Sequence, residues 1–243
     1  MKKMSSKLLL VAMLILNVAM VSAQEAADAA QQSKGLHQVF KERFIEGGPA
    51  YMAPILLCLI IGLAVAIERI IYLNMATTNS KKLIADIEQA LDSKGIEAAK
   101  EVCRDTKGPV ASIFYQGLDR AGEGIDMVEK SVVSYGGVQM GQLEKNVSWI
   151  SLFISIAPML GFMGTVIGMI EAFDKISSAG GLDASLIAGD IKVALLTTVF
   201  GLIVAMILQV FYNYIIAKID AIVNDMEDAS ISLIDLLVAR KIK

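Results

Sequence analysis

The sequence is short of the residues that most often carry chemistry. Its 243 residues include one histidine, two cysteines, four prolines and one tryptophan, and charged residues make up only 19% of the chain. The lone histidine, His37, has no cysteine or histidine neighbour at metal-ligand spacing, so we expect a solvated or interfacial side chain. Cys58 lies in an apolar run and Cys103 in a charged segment, so no disulfide is expected between them. We therefore predict no enzymatic activity, no metal site and no cofactor.

The net charge is also small. Its formal value is only −3, which suggests no nucleic-acid-binding surface. Apolar residues instead reach 55%, above the roughly 45–50% of soluble domains. The excess lies in long apolar blocks, which predict membrane spans at 49–73, 147–170 and 193–217. The second and third blocks carry no charge, and the first carries Glu68 and Arg69 near its end. Such a chain has the lipid bilayer as its solvent.

The first 23 residues have the pattern of a secretory signal peptide. Lys2, Lys3 and Lys7 precede an apolar core from 8 to 21, and small residues end it at Ala23. An uncleaved signal anchor remains the alternative.

Residues 24–48 are polar, with an apolar stripe of Leu36, Val39, Phe40 and Phe44. This spacing predicts an amphipathic helix on the periplasmic membrane surface. The Gly47-Gly48-Pro49 sequence predicts a break before the first span.

The segment 74–146 has the character of a soluble helical domain. Helical periodicity covers 80–92, 96–106, 109–121 and 125–146, separated by glycine-containing breaks. Nothing breaks the last of these before the second span, so one continuous rod is expected there. The fold class predicted is an all-α integral membrane protein, with three transmembrane helices and long helices extending into a cytoplasmic helical domain. Residues 171–192 would form a periplasmic loop, and 218–243 an amphipathic cytoplasmic tail.

The orientation follows from the distribution of lysine and arginine. Ten of them lie between Arg69 and Lys145 and four lie from Lys218 onward, against three in 24–48 and two in the second connection. Since cytoplasmic segments carry the excess of positive charge, the N-terminus is predicted outside and the C-terminus inside. A bacterial inner membrane is the expected location.

Small residues recur at helical spacing in the second and third spans. Such stripes let two helix backbones approach closely, and three threonines lie on or beside them. The stripes consist of Ala157, Gly161, Gly164 and Gly168 in the second span and of Ala194, Thr198, Gly201 and Ala205 in the third, with Thr165 and Thr197 as the further threonines. Helix packing alone, with threonines bonded to their own helices, remains the alternative to an ion-binding role.

Neither of these two spans contains an Asp, Glu, His, Lys or Arg residue. Intramembrane ionisable groups are the usual marks of a proton relay. If the chain conducts ions, the titrating group must come from a partner or from the membrane edge. The edge charges are Glu68 and Arg69 at the end of the first span, and Glu171, Asp190 and Lys192 around the second connection.

Two of the motifs resemble those of the MotA/TolQ/ExbB proton channel family. The run from Ala157 to Phe173 is similar to its second-span motif, and the run from Ala194 to Ala205 to its third-span motif. Residues 67–73 resemble the end of its first span. An ExbB-like member is the closest fit, and the resemblance covers roughly 48–220.

The resemblance implies a pentamer around single-span partner helices of the ExbD/TolR/MotB kind, whose membrane Asp carries the proton. Thr165 and Thr198 would face that Asp in the pore. Many relatives carry Glu at the start of the third-span motif, where this chain has Val193, so Na⁺ use with extra oxygens from Thr197 and Thr198 is a variant. The implied role is to power TonB-type outer-membrane uptake. A TolQ-like or MotA-like stator and a non-conducting membrane scaffold are the alternatives.

Overall fold

The computed structural model describes residues 36–179 and 184–240, with side chains for 41–178 and 187–240. Over these residues the chain is helical and contains no strand, which confirms the predicted all-α class. The expected signal peptide at 1–23, and the side chain of His37, lie outside the described parts. The helices are α1 (Leu36–Glu46), α2 (Pro49–Ala76), α3 (Ser80–Lys94), α4 (Ile96–Asp105), α5 (Pro109–Asp119), a 3₁₀ turn (Ala121–Glu123), α6 (Ile125–Leu143), α7 (Val147–Ala179) and α8 (Ala184–Ala239).

Helix α1 ends where the glycine pair begins. The amide of Gly47 donates to the carbonyl of Arg43 at 2.9 Å, closing the last turn. Gly48 then takes φ of 75°, a left-handed conformation that glycine adopts without strain from a Cβ atom. The break predicted before the first span is therefore confirmed.

Three of the helices are long and apolar enough to cross a membrane, as the sequence predicted. They are α2, α7 and α8, and α8 carries the third span and the predicted tail in one helix of 56 residues. At 1.5 Å per residue such a helix is roughly 84 Å long, far more than a bilayer core of about 30 Å. Part of α8 therefore extends beyond the membrane.

The extension of α8 packs against the helices of the 74–146 domain. Its buried apolar side chains recur every three or four residues from Ile219 to Leu237, which places them on one face. That face contacts a core in which Ile113, Phe114 and Leu118 of α5 are fully buried. At Gly117, an added Cβ atom would lie 3.2 Å from Leu233, so α5 and α8 approach closely there.

The structure differs from the expected continuous rod between α6 and α7. Helix α6 ends at Leu143 and α7 begins at Val147, because Asn146 takes φ of 66°. Asparagine is among the few residues that adopt this left-handed conformation readily. No proline or glycine marks this break, which explains why the periodic pattern concealed it.

The second connection contains more helix than expected. Helix α7 continues through Ser177 and Ser178 to Ala179, and α8 begins at Ala184. Most of the predicted loop at 171–192 is therefore helical. The serine hydroxyl of Ser178 donates to the Asp174 carbonyl at 2.8 Å, so it bonds to its own helix and does not terminate it.

Candidate functional site

The small-residue stripes of α7 and α8 face each other, and we call their line of contact the seam. The members buried there are Ala157, Gly161, Gly164 and Gly168 of α7, and Ala194, Thr197 and Gly201 of α8. Thr165 and Thr198 lie half-buried at its side, and Ala205 is half-buried as well. The two small-residue stripes thus contact each other directly.

Gly161 and Gly201 of the seam have backbone atoms as their nearest neighbours. A Cβ atom added to Gly201 would lie 2.5 Å from the Ala157 carbonyl oxygen and 3.3 Å from the Cα atom of Gly161. One added to Gly161 would lie 2.7 Å from the Thr197 carbonyl oxygen. The distances of 2.5 Å and 2.7 Å are shorter than real Cβ contacts, so the two backbones can touch here only because glycine has no side chain.

The three threonines place their hydroxyl groups inside this contact. Thr165 donates to the Ala194 carbonyl at 2.8 Å, and its hydroxyl also bonds to that of Thr198 across the seam. Thr198 lies 3.2 Å from the carbonyl oxygen of Gly161. Thr197, with no exposed surface, donates to the carbonyl of Ala194 at 2.7 Å on its own helix. The result is a chain of oxygen atoms joining two helices at membrane depth.

The role of Thr197 differs in kind from that of the other two threonines. Its side chain fills the space beside Gly164, whose added Cβ atom would lie 2.6 Å from the Thr197 hydroxyl oxygen. Its hydroxyl also lies 3.3 Å from the Gly161 carbonyl oxygen, so Thr197 packs against Gly164 and contacts the same carbonyl as Thr198. Thr165 and Thr198 keep part of their surface exposed.

The charges at the end of the first span pair with each other. Arg69 donates to both carboxylate oxygens of Glu68, at 2.7 Å and 2.5 Å, and its guanidinium lies 4.5 Å from the Tyr72 ring centroid. Although Glu68 is exposed, Arg69 is only 5% exposed. It also lies 3.5 Å from the carbonyl oxygen of Gln142, in the last turn of α6. Arg69 thus ties the first span to the helix end just before the α6–α7 break.

The opposite end of the spans carries a second polar group. Tyr51 of α2 donates to the Glu171 carboxylate of α7 at 3.0 Å. Lys175 of α7 places its ammonium 2.8 Å and 2.7 Å from the two carboxylate oxygens of Asp190 on α8. Lys192 is exposed beside this group. The sequence located the charges at this edge but not the Lys175–Asp190 pairing, because 15 residues separate its partners.

The spans are also apolar on the faces turned away from the seam. Large exposed side chains recur along α7, where Met159, Phe162 and Phe173 are each more than half exposed, and along α8 at Leu195, Met206 and Val210. Such surfaces face lipid or another protein. Among the described residues, no group of three or more His, Cys, Asp and Glu side chains is placed to hold a metal ion.

The comparison with known proteins points in one direction. The MotA/TolQ/ExbB proton channel family matches residues 105–228. A putative biopolymer transport protein ExbB homolog of Methanothermobacter thermautotrophicus is 31% identical over 170 residues, covering 69% of this chain and 60% of that protein. The biopolymer transport protein ExbB of Helicobacter pylori is 35% identical over 80 residues, covering 33% of this chain and 55% of the relative.

A third relative comes from another branch. The Tol-Pal system protein TolQ of Haemophilus influenzae is 31% identical over 87 residues, covering 36% of this chain and 38% of that protein. The chain thus spans less than two thirds of the length of each of these three relatives. The family match includes all of α7, the seam and most of α8. The chain belongs to the MotA/TolQ/ExbB proton channel family.

Proposed function

We propose that this chain is the channel-forming subunit of an ion-driven energy transducer in the bacterial inner membrane, driven by the proton motive force. The observation that carries the proposal is the hydroxyl pair of Thr165 and Thr198 within the seam. Two hydroxyls and the carbonyl oxygens of Ala194 and Gly161 form a polar line through an otherwise apolar helix pair. The family supplies the second support, because it is a family of channels and not of enzymes.

The spans themselves lack a group that can carry a proton. Neither 147–170 nor 193–217 has an ionisable residue, and the hydroxyls of Thr165 and Thr198 do not titrate near neutral pH. We therefore assign the proton carrier to a single-span partner of the ExbD/TolR kind with a membrane Asp. Its carboxylate would accept hydrogen bonds from the threonine hydroxyls, since a buried charge needs such partners.

Several copies of the chain would enclose that partner. The apolar faces of α7 and α8 extend well beyond the seam, which supports self-association, and a pentamer is the assembly that the family resemblance implies. The 74–146 domain and the α8 extension would lie in the cytoplasm and the N-terminus in the periplasm. Through a TonB-like protein the assembly would power outer-membrane uptake.

A TolQ-like role in the cell envelope is the second candidate. It is favoured by the similarity to the Haemophilus influenzae TolQ protein, which covers 36% of this chain. Both roles use the same seam and differ in the partner that the subunit moves. Native mass spectrometry of the complex, isolated through the tagged full chain from its own membranes, would identify the single-span protein. A monomer without any partner would contradict both roles and favour a non-conducting scaffold.

Ion conduction is tested by removing one hydroxyl. Thr198→Val keeps the shape of the side chain, so the complex should assemble, but it removes the oxygen that bridges to Thr165. Proteoliposomes containing the complex and a pH-sensitive dye should lose most of the proton flux driven by a K⁺ diffusion potential. Thr198→Ser should retain it. Thr106→Val, at a half-buried threonine of the 74–146 domain, is the matched control. Normal flux in Thr198→Val would refute the pore role.

A further inference from the structure

The ion pair at the end of the seam is asymmetric in its exposure. The side chain of Lys175 is 52% exposed, whereas that of Asp190 is only 15% exposed. One carboxylate oxygen of Asp190 has essentially no accessible surface, and the Lys175 ammonium is 2.7 Å from it. The lysine therefore lies on the solvent side and covers the carboxylate.

Asp190 is also placed at the entrance to the oxygen line of the seam. Its backbone lies against α7, because a Cβ atom added to Gly168 would be 3.2 Å from the Asp190 carbonyl oxygen. One turn further along α8 is Ala194, whose carbonyl accepts from Thr165. One more turn reaches Thr198, about 12 Å from Asp190 along the helix axis. Carboxylate, carbonyl and hydroxyl oxygens thus follow one another along one side of α8.

From this arrangement we infer that Asp190 captures the permeating cation at the outer end of the seam, and that the Lys175 ammonium occupies the site until the cation displaces it. The inference rests on the proposed function, since it supplies the entrance to the same ion path. Asp190 would accept a proton or Na⁺, both of which bind carboxylate oxygens. The lysine is held by a flexible chain from α7 and can withdraw into water without disturbing the helix contact.

The charges around the pair favour cation capture over a purely structural role. We call that alternative, in which the ion pair only holds α7 to α8, a clasp. Glu171 and Asp174 lie on α7 within four residues of Lys175, and both are exposed, while Lys192 is exposed on α8. Two exposed carboxylates near the entrance raise the local cation concentration. A clasp between α7 and α8 would add little, because the glycine contacts of the seam already hold these helices together.

The two partners of the pair are predicted to have opposite effects on flux. In proteoliposomes containing the full complex, Lys175→Gln should raise the proton or Na⁺ flux about two- to fivefold, the range expected for losing a partly exposed ion pair. Asp190→Asn should lower the flux by a similar factor. Glu129→Gln removes an exposed carboxylate of α6, in the 74–146 domain, and should stay at the wild-type value. Parallel assays with a pH-sensitive and a Na⁺-sensitive dye distinguish the two cations.

A clasp gives a different pattern. It would make both single variants change in the same direction, and the exchange Lys175→Asp with Asp190→Lys would restore the flux. Capture by Asp190 predicts that the exchanged pair remains impaired, because the carboxylate has moved off α8. Equal effects of the two single variants, or rescue by the exchange, would therefore overturn the inference.

A second measurement does not depend on conduction. A carbodiimide that labels carboxyl groups should modify Asp190 slowly in the wild-type chain and about two- to fivefold faster in Lys175→Gln, once the covering charge is gone. Mass spectrometry of the peptide containing residue 190 reports the extent. Unchanged labelling would overturn the inference even if the complex conducts. An absence of flux from the wild-type complex would contradict the proposed function, while the labelling still decides whether Lys175 covers the carboxylate.

Discussion

Replacing Gly201 by alanine tests whether the seam depends on direct backbone contact. The added Cβ atom would lie 2.5 Å from the Ala157 carbonyl oxygen, whereas ordinary contact begins at 3.4 Å, so the helices must separate locally by about 0.9 Å (3.4 − 2.5). The same separation would lengthen the 2.8 Å bond from Thr165 to the Ala194 carbonyl to about 3.7 Å. That is beyond hydrogen-bonding distance.

Three terms contribute to the change in unfolding free energy of Gly201→Ala, two of them destabilising and one stabilising. Overpacking costs about 1–3 kcal/mol, and a lost hydrogen bond about 0.5–1.5 kcal/mol. Alanine in place of glycine within a helix returns about 1 kcal/mol. The net loss of stability is therefore about 0.5–3.5 kcal/mol for Gly201→Ala.

A matched control is available in Gly137, which lies inside α6 with no atom within 4 Å of its added Cβ. Gly137→Ala should stabilise the chain by about 1 kcal/mol, since only the helix propensity changes. Thermal unfolding of the detergent-solubilised chains, followed by circular dichroism, compares the two. At about 2–4 °C per kcal/mol, Gly201→Ala should melt several degrees below Gly137→Ala. If Gly201→Ala melts at or above the temperature of the control, close backbone contact is not what holds the seam.

Two further predictions concern the 74–146 domain and the α8 extension. Burial raises the pKa of the Cys103 thiol from its ordinary value of 9.0 to about 12. The free energy of unfolding should therefore hold its full value below pH 9 and fall as the pH rises from 9 toward 12. Cys103→Ala should remove this fall in unfolding measured at several pH values. Maleimide labelling of Cys103 at pH 8 should be slow in the folded chain and fast in denaturant; equal rates would contradict burial. Arg240 lies 3.3 Å from Glu88 and 2.8 Å from Asp92, and Arg240→Ala should cost about 0.2–1 kcal/mol, seen as faster hydrogen exchange in the last turns of α8. Unchanged exchange there would show that the contact does not hold the helix end.

Helix positions followed from the sequence where composition and periodicity were strong. The three spans are long apolar runs, charged only at Glu68 and Arg69 near the end of the first, and a bilayer admits such runs only as helices. The breaks around Gly95 and Gly108 were predictable because a glycine between two periodic segments marks a break. The structure agrees, since both glycines take positive φ, of 81° and 123°. The stripes of the seam were also visible, since their spacing follows the helical repeat. The structure brings the two stripes face to face, which their spacing alone did not predict.

Other features depend on three-dimensional contacts that spacing does not reveal. The break at Asn146 arises from a left-handed conformation that asparagine tolerates but does not require. The burial of Arg69 depends on the end of α6, more than 70 residues away in the sequence. Likewise, the pairing of Lys175 with Asp190 requires two helices to run side by side beyond the predicted span ends. In each case the residue types were known and their neighbours were not.

The hydrogen bonds of the seam explain why the proposed channel would need its partner to work. In the single chain, Thr165 and Thr198 already bond to each other and to carbonyl oxygens of Ala194 and Gly161. An arriving carboxylate must replace such bonds, at about 0.5–1.5 kcal/mol each. One elementary charge moving through 100 mV supplies about 2.3 kcal/mol, enough to exchange one or two of them. In the proposed channel, a proton cycle of the partner's carboxylate would thus make and release these hydroxyl contacts in turn, and the closed seam would block ions until the partner is driven.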